Sequence, residues 1–396
     1  MKKQNLIWVL LGILFISFNL RAPLTAVGSV VEMIQKDSGL SNAAAGLITT
    51  LPLIAFAVVS PFVSRLFTRI GHGNTMFLGL CLILAGELCR SYTGMRGLFI
   101  GTVIIGCGIA IGNVLIPSII KLHFSGRVGL VTSLYTSGMC IFAALGAGIS
   151  MPLAKGMSFG WKHTLAIWFF LTLLTILIWL PQTKRTKGSA SLTDAELTAC
   201  NTSVWKDPLA WWVTLFMGTQ SLIFYSLVAW LPTILLSKGM TEAFAGNMAF
   251  LFQIMAIPAT LLIPILCDRV KDQRVLVFAT CIVYATGMGL FLIGSHPFLM
   301  FCAILCMSVG MGGSISLSIA FISLRSPNSR KAAELSGMSQ SAGYLFAALG
   351  PIVTGFLYDT LAVWSAPLLL FLILIGFLAF CGLYAGKSLT VADCTN

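Results

Sequence analysis

The sequence predicts an all-α membrane protein in which 12 transmembrane helices form two pseudo-symmetric six-helix bundles. This prediction rests on an apolar composition, on twelve apolar runs of membrane-spanning length and on an internal repeat. Of the 396 residues, 58% are hydrophobic and 9% are charged, whereas soluble proteins are about 45–50% apolar and about 25% charged. So few charges cannot cover a soluble globule, which excludes a cytosolic enzyme, a nucleic-acid-binding protein and a disordered chain.

A helix that crosses a bilayer needs roughly 20 mainly apolar residues, and twelve runs in this chain reach that length. The first six cover about 6–30, 43–63, 75–92, 97–120, 128–150 and 162–181. The last six cover about 209–231, 244–266, 275–294, 298–322, 334–357 and 364–385. A count of eleven or thirteen stays open because the third and fourth runs lie close together. The N-terminal run lacks a signal-peptide cleavage site, so we expect it to be retained as the first helix.

A polar stretch separates the two sets of six runs. Residues 182–208 are charged and rich in Ser and Thr, and they lack a sustained apolar period. We interpret them as a linker. The expected organisation is an N-terminal bundle over 1–181, the linker over 182–208 and a C-terminal bundle over 209–396.

Basic residues orient the predicted helices. The net charge of +12 comes from 24 Lys and Arg against 12 Asp and Glu. Seventeen of the basic residues fall on the side that holds both termini and the linker, and six fall on the other side. Because cytoplasmic loops carry the excess of Lys and Arg, we expect both termini and the linker in the cytoplasm.

An internal repeat relates the halves. The string FAALG occurs at 142–146 and at 346–350, an offset of 204, and SGM lies upstream of each copy. Pro61 and Pro264 end the second and eighth runs at an offset of 203. Two parallel six-helix repeats can rock about a central site and open it to each side in turn. This organisation resembles the major facilitator fold.

In that superfamily the loop after the second helix usually carries a G-x-x-x-D-R-x-G-R-like turn. The first half matches it partly, with Arg65, Arg69 and Gly71, but Ser64 stands where Asp is expected. The second half comes closer to the pattern, and its matching residues are Asp268, Arg269 and Arg274. The resemblance implies a structural gate at these loops, although ordinary positive-inside charges explain the arginines equally well.

Arg21 stands out among the polar residues inside the predicted membrane. It lies roughly 22 Å into the first run at 1.5 Å per residue, and an Arg at a helix centre costs about 2.5–3.5 kcal/mol on insertion scales. Ser17, Thr25 and Gly28 share its helix face. We expect a fixed cation that attracts an anion or a strongly dipolar group, with snorkelling to the outer interface as the alternative.

Other polar side chains lie on helices that would line a cavity between two bundles. Together with Arg21, the candidate substrate-binding residues are Asn113, Tyr135, Gln220, Tyr225, Gln253, Gln340 and Tyr344. Taken singly, each amide is more often an interhelical hydrogen bond than a ligand contact. An offset of 204 makes Tyr225 the repeat partner of Arg21.

The acidic residues give no obvious proton carrier near the midplane. Glu87 is the deepest, and we expect it to pair with Arg90 one turn away. The sequence also lacks a catalytic constellation, a nucleotide-binding loop and a set of Cys and His ligands. We therefore expect neither an enzyme nor a bound cofactor or metal, and we interpret the eleven scattered cysteines as small buried apolar residues.

Several segments resemble the cyanate and 2-nitroimidazole transporter family of the major facilitators. They include NLRAPLTAVGSV at 19–30, GNVLIPSIIK at 112–121, SLIFYSLVAWLPTILLSKG at 221–239 and LSGMSQSAGYLFAALGP at 335–351. The resemblance covers nearly the whole chain. It matches the family's helix-1 Arg to Arg21, its helix-4 Asn-x-x-x-Pro to Asn113 and Pro117, and its helix-7 Tyr to Tyr225. Glu87 departs from the family, whose members carry uncharged residues there.

Membership of this family implies a secondary transporter of the bacterial inner membrane that moves a small polar or anionic compound by alternating access. We expect a monomer in the bilayer, with a small-molecule substrate and a coupling ion that the sequence does not identify. The alternative is a proton-coupled multidrug exporter, which needs a titrating carboxylate and a large apolar pocket. A membrane-embedded enzyme or sensor is the third reading, and it lacks a supporting motif.

Overall fold

The computed structural model describes residues 3–40, 42–185 and 203–391. That part of the chain contains fourteen α-helices and no β-strand. In chain order the first seven are α1 (Lys3–Asn19), α2 (Ala22–Ser38), α3 (Asn42–Tyr92), α4 (Gly94–His123), α5 (Val128–Met151), α6 (Gly160–Ala166) and α7 (Trp168–Arg185). The last seven are α8 (Pro208–Ser237), α9 (Glu242–Ile254), α10 (Ile257–Arg269), α11 (Arg274–Ile293), α12 (Pro297–Leu324), α13 (Ser329–Leu361) and α14 (Ser365–Ala385).

Helix α3 contains two membrane crossings. It has 51 residues, which gives roughly 75 Å against a hydrocarbon core of about 30 Å. Gly71 interrupts it with φ 81° and ψ 160°, a conformation that only glycine adopts readily. Eleven stretches of the described residues are long and apolar enough to cross a membrane. Because one of them includes both crossings of α3, the predicted twelve crossings and the all-α fold are confirmed.

Three crossings are broken where single helices were predicted. The sixth run divides at Ile167 into α6 and α7, and the other two breaks lie beside prolines. The first run divides into α1 and α2 because Pro23 has no N–H to donate to the Asn19 carbonyl. Arg21 sits in this break with φ −125° and ψ −41°. The eighth run divides into α9 and α10 before Pro258, which likewise has no N–H for the carbonyl of Ile254.

The chain order defines two halves, the N-terminal half α1–α7 and the C-terminal half α8–α14. Between them, residues 186–202 of the predicted linker lie outside the described residues, and 204–206 form a short 3₁₀ turn before α8. One end of the bundle is the end at which α10 ends and α5 and α13 begin. We call it the basic face, since Arg65, Arg69 and Arg269 lie there. The other end is the opposite face.

Glycines of the internal repeat pack in corresponding places. A Cβ atom on Gly146 would lie 2.8 Å from the carbonyl oxygen of Ala22, and one on Gly350 would lie 2.7 Å from that of Leu222. The FAALG copies therefore bring α5 against α2 and α13 against α8. Small residues permit this close approach, which replaces hydrophobic burial as the main source of helix association in lipid.

Candidate functional site

A small cavity lies between the two halves around Arg21. Its volume is about 40 Å³, and a water molecule in liquid occupies about 30 Å³, so this conformation leaves little free space. The two long polar side chains that line it both lie next to a helix break. Arg21 lies in the break between α1 and α2, and Gln253 lies at the end of α9, before the break that precedes Pro258. The other lining residues are Thr25, Thr136, Met139, Cys140, Ala143, Phe224, Met311, Ile315 and Ile319.

Arg21 presents an uncompensated positive charge to this cavity. Its Cζ lies 5.7 Å from the centroid of the Phe224 ring, within the range of a cation–π interaction. The groups within its electrostatic reach are phenols and a thiol, namely Tyr225, Tyr344, Cys140 and Tyr135. The ion pairs of the described residues, which join Arg274 to Asp272 and Glu334 to Arg330 and Lys331, do not include Arg21. An anion or a dipolar oxygen can therefore bind this guanidinium without displacing a carboxylate.

The predicted aromatic residues surround Arg21. The rings of Tyr225 and Tyr344 are 6.2 Å apart between centroids, and Phe56 lies 5.2 Å from Tyr344. On the other side, the Tyr135 hydroxyl donates to Asn113 Oδ1 at 3.3 Å. Asn113 thus serves an interhelical hydrogen bond in this conformation.

The predicted glutamines occupy different environments. Gln253 lines the cavity. Gln220 is buried and donates from Nε2 to Ser221 Oγ at 2.7 Å. Within the described part, the Oε1 atoms of Gln220 and Gln340 are buried without a hydrogen-bond partner. Neither of these two glutamines lines the cavity. Each lies one helical turn before an aromatic residue that is near Arg21: Gln220 precedes Phe224 in α8, and Gln340 precedes Tyr344 in α13.

Sequence reasoning missed most of the α5 wall. It selected Tyr135, whereas the residues facing the cavity are Thr136, Met139, Cys140 and Ala143. Their i, i+3, i+4, i+7 spacing is the signal of one helix face. Such a stripe of small and moderately polar residues could have been found, but it carries no ionisable group to draw attention.

Hydrogen bonds close the basic face between the halves. Asp268, at the end of α10, accepts from Gly129 N at 2.8 Å and from Leu130 N at 3.1 Å, which caps the start of α5 across the interface. Ser118 Oγ donates to the Ser329 carbonyl at 2.7 Å. A Cβ atom on Gly129 would lie 1.7 Å from the carbonyl oxygen of Pro264.

More hydrogen bonds join the halves nearer the middle of the membrane. The pairs are Ser323 Oγ to Pro117 O at 3.1 Å, Ser336 Oγ to Asn113 O at 3.2 Å, Ser341 Oγ to Ala57 O at 2.7 Å and Ser137 Oγ with Thr260 Oγ1 at 3.1 Å. For the described residues, all such bonds lie between the basic face and the level of the cavity. The structure is therefore closed on the basic face.

Among the described residues, the other charged side chains that were predicted to form a gate at these loops make no hydrogen bond or ion pair across the interface between the halves. Arg65, Arg69 and Arg269 are exposed. Arg274 forms an ion pair with Asp272 of its own loop at 2.5 Å, and this hydrogen bond lowers the pKa of Asp272 below its ordinary value. Of the charged residues predicted at these loops, Asp268 is the one whose side chain spans the interface.

The expected pair between Glu87 and Arg90 is not formed. Both side chains are 0% exposed, but no ion pair of the described residues includes either. Glu87 Oε1 lies 3.1 Å from Thr172 Oγ1, and Arg90 Nη1 donates to the Pro23 carbonyl at 2.7 Å. Tertiary partners from other helices replace the contact expected within one helix.

The described residues offer no group of three or more His, Cys, Asp or Glu side chains that could hold a metal ion. The central cavity can therefore bind a ligand through one cation, aromatic rings, hydroxyl groups and an amide.

The chain is similar to known transporters over almost its whole length. The Major Facilitator Superfamily profile matches residues 9–345 and 239–389. An uncharacterized transporter of Bacillus subtilis (strain 168) is 46% identical over 387 residues, which is 98% of this chain and 95% of the relative. The 2-nitroimidazole transporter of Escherichia coli (strain K12) is 40% identical over 385 residues, 97% of this chain and 96% of that protein.

A more distant relative and a solved structure agree with this assignment. The cyanate transport protein of Escherichia coli (strain K12) is 27% identical over 350 residues, 88% of this chain and 89% of that protein. The proton:xylose symporter XylE superposes with a TM-score of 0.80 over 99% of both chains at 13% identity, which shows a shared fold. The chain belongs to the major facilitator superfamily, within it to the cyanate and 2-nitroimidazole transporter family, and is thus a multi-pass membrane transporter of small molecules.

Proposed function

We propose that this protein moves a small planar polar or anionic compound, such as a 2-nitroimidazole or cyanate, across the bacterial inner membrane by alternating access. The observation that carries the proposal is the uncompensated guanidinium of Arg21 in the cavity between the halves. Nitro and cyanate groups both present electron-rich atoms that accept charge-assisted hydrogen bonds from an Arg.

The aromatic residues suit a planar substrate. Phe224 already lies against the Arg21 guanidinium, and Tyr225 lies 5.1 Å from Phe224 between ring centroids. A flat ring bound at Arg21 can stack against these side chains in an offset or edge-on arrangement. Asn113, Tyr135, Gln220, Gln253, Gln340 and Tyr344 are proposed to supply hydrogen bonds and apolar surface as the cavity opens.

The closed basic face supports a rocking mechanism of the two halves. The positive-inside rule favours a cytoplasmic position for this face, and we propose that the present conformation is closed towards the cytoplasm. Opening it requires Asp268 to leave the first turn of α5 and the serine hydrogen bonds to part. We propose that the residues 1–181 and 209–396 move as two bundles, joined by the linker over 182–208, in a monomer.

Transport into vesicles tests this function. Purified protein in liposomes should give saturable uptake of radiolabelled 2-nitroimidazole or cyanate that empty liposomes do not show. Arg21→Ala should lower the saturable uptake at least roughly tenfold, whereas Arg96→Ala, at an exposed Arg near the opposite face, should retain it. Saturable uptake at the wild-type rate in Arg21→Ala at equal protein content would contradict the proposed site.

A further inference from the structure

A buried polar cluster on α3 lies outside the central cavity and braces both sides of the break in the first crossing. Glu87 reaches Asn19, the last residue of α1, through Thr172 of α7. Arg90 reaches Pro23 at the start of α2. Arg21 stands between these two anchor points, so the cluster fixes the geometry of the segment that carries the cavity's cation.

The proton positions in this cluster follow from its donors and acceptors. Asn19 Nδ2 donates to the Phe15 carbonyl at 2.8 Å and to Thr175 Oγ1 at 2.7 Å, which fixes Asn19 Oδ1 as the acceptor that faces α7. Thr172 Oγ1 lies 2.7 Å from this Oδ1 and 3.1 Å from Glu87 Oε1. A hydroxyl has one hydrogen to donate, so it serves one of these two oxygens only.

An ionised Glu87 would leave one of these short contacts without a hydrogen, because a carboxylate, like an amide oxygen, only accepts. A protonated Glu87 donates to Thr172 Oγ1, and the Thr172 hydroxyl then donates to Asn19 Oδ1. Both of these contacts have a donor in this arrangement alone, and the Trp168 carbonyl, at 3.3 Å the most distant oxygen around the Thr172 hydroxyl, is the one that receives no hydrogen from it. Burial agrees, since a fully buried carboxylate without an ion pair is strongly unfavourable.

Arg90 is the charged group that acts on Glu87 in the described residues. Helix α1 contributes the uncharged Asn19 and α7 the uncharged Thr172, while α4 packs against this part of α3 through Gly101 and Ile105, which carry no charge. Arg90 follows Glu87 by three residues, a spacing at which helix side chains can pair. Its Nε and Nη2 atoms are buried and have no partner in the described part.

We propose that Glu87 is a proton-binding site of this transporter, loaded while the basic face is closed. When the halves rock, the break rearranges within the N-terminal half, so that Arg90 leaves the Pro23 carbonyl and pairs with Glu87. The proton leaves the carboxyl group for water, and Arg90 keeps its charge throughout. This proposal rests on the proposed transport function, and it makes proton release the event that frees the segment carrying Arg21.

Infrared spectroscopy of the purified full-length protein tests the protonation directly, without any substrate. The wild type at neutral pH should show the carbonyl stretching band of a protonated carboxylic acid, and Glu87→Gln should lose it. Glu334→Gln is the matched control, because Glu334 is ion-paired with Arg330 and Lys331 and should contribute no such band. A band that is absent from the wild type, or that persists in Glu87→Gln, overturns the proposal.

A second variant keeps the test decisive if Glu87→Gln folds poorly. Thr172→Val removes the hydroxyl that accepts from Glu87, so the band should shift to higher frequency and remain present. An unshifted band would show that Glu87 does not donate to Thr172 and would equally overturn the proposal.

Transport separates this proposal from the function on which it rests. In Glu87→Gln, uptake driven by an imposed pH gradient should fall to the level without a gradient, while exchange of substrate across the vesicle membrane continues. Gradient-driven uptake that persists in Glu87→Gln contradicts the coupling role. If the wild type transports neither compound while the infrared band behaves as expected, the proposed substrate is wrong and the proton site stands.

Discussion

The two halves of the molecule are related by a repeat. At the basic face, however, the fifth crossing begins differently in each half. Helix α5 has Arg127 at its N-cap, without a side-chain cap of its own, and Asp268 of the other half caps it. The corresponding helix α13 is capped locally by Asn328, whose Oδ1 accepts from Lys331 N at 2.9 Å. Ser64 stands at the position that matches Asp268. The closure therefore depends on one acidic residue that crosses the interface from the C-terminal half.

The halves differ again beside the cavity. In the N-terminal half the first crossing is broken at Pro23 and carries Arg21, whereas its counterpart α8 is continuous and carries Tyr225. The second crossing is continuous through Pro52, whereas its counterpart is broken before Pro258. Each half thus supplies one broken helix to the cavity, and the N-terminal half alone supplies the cation. This difference indicates that the halves share packing but divide the tasks of substrate binding and closure.

Removing the cation should have the largest effect on transport. A hydrogen bond to a charged group contributes about 1.5–3 kcal/mol, so Arg21→Ala should lower kcat/KM for transport roughly 10- to 150-fold. At the matching position in the other half, Tyr225→Phe removes a neutral hydroxyl worth about 0.5–1.5 kcal/mol and should have a smaller effect. Initial uptake rates over a range of substrate concentrations measure both. Equal losses in the two variants would show that the halves contribute alike.

Adding a methyl group at the closest contact of the basic face should shift the molecule towards its open form. In Gly129→Ala the new Cβ would lie 1.7 Å from the Pro264 carbonyl oxygen, and overpacking of this kind costs about 1–3 kcal/mol. The ratio of open to closed molecules should rise roughly 5- to 150-fold. Spin labels on exposed Thr68 and Lys271, one in each half, would report this as a longer distance.

The control for this prediction is Gly126→Ala, because a Cβ at Gly126 meets no atom within 4 Å. It should leave the label distances as in the wild type. If Gly129→Ala also gives the wild-type distribution of label distances, the contact between α5 and α10 does not control the opening of the basic face.

Removing the cap across the interface should have an intermediate effect. Loss of an N-cap costs about 1 kcal/mol, so Asp268→Ala should increase the open fraction roughly fivefold in the same label measurement. Asp272→Ala is the matched control, since this exposed carboxylate pairs with Arg274 inside its own loop. If the two variants behave alike, the bonds to Gly129 and Leu130 do not hold the face closed.

Restoring the missing symmetry should have the smallest effect. Asn328→Ala removes the local cap of α13 and should lower stability by about 1 kcal/mol, seen as a lower thermal unfolding temperature in detergent. Adding Ser64→Asp should recover part of this loss if residue 64 can reach α13 as Asp268 reaches α5. The absence of any recovery would show that the loops are arranged differently in the two halves, beyond the exchange of one residue.

The sequence anticipated some parts of the site and missed others for identifiable reasons. Arg21 was found because an ionisable group inside an apolar run is costly wherever the helix packs. Gln253 was found as an amide on a cavity helix, and it lines the cavity. Phe224 and Cys140 were missed, because an apolar residue in a membrane helix has the same local signal whether it faces lipid, a neighbouring helix or the cavity.

The expected pair of Glu87 and Arg90 was wrong for a related reason. Spacing along one helix brings the two side chains within reach of each other, but it says nothing of competing partners from other helices. The structure brings Thr172 to Glu87 and the Pro23 carbonyl to Arg90. Both partners come from helices outside α3, and apolar run length does not predict which helices pack there.

By itself, the sequence determined the number of crossings, the all-α fold, the repeat and the presence of one deep cation. These properties are local, since a backbone in lipid must satisfy its own hydrogen bonds and therefore forms helices wherever apolar runs are long enough. Only the tertiary structure decided that Asp268 caps α5, that Phe224 lies against Arg21 and that Glu87 meets Thr172. Those contacts join helices far apart in the chain, and their geometry depends on how closely small residues such as Gly129 let the helices approach.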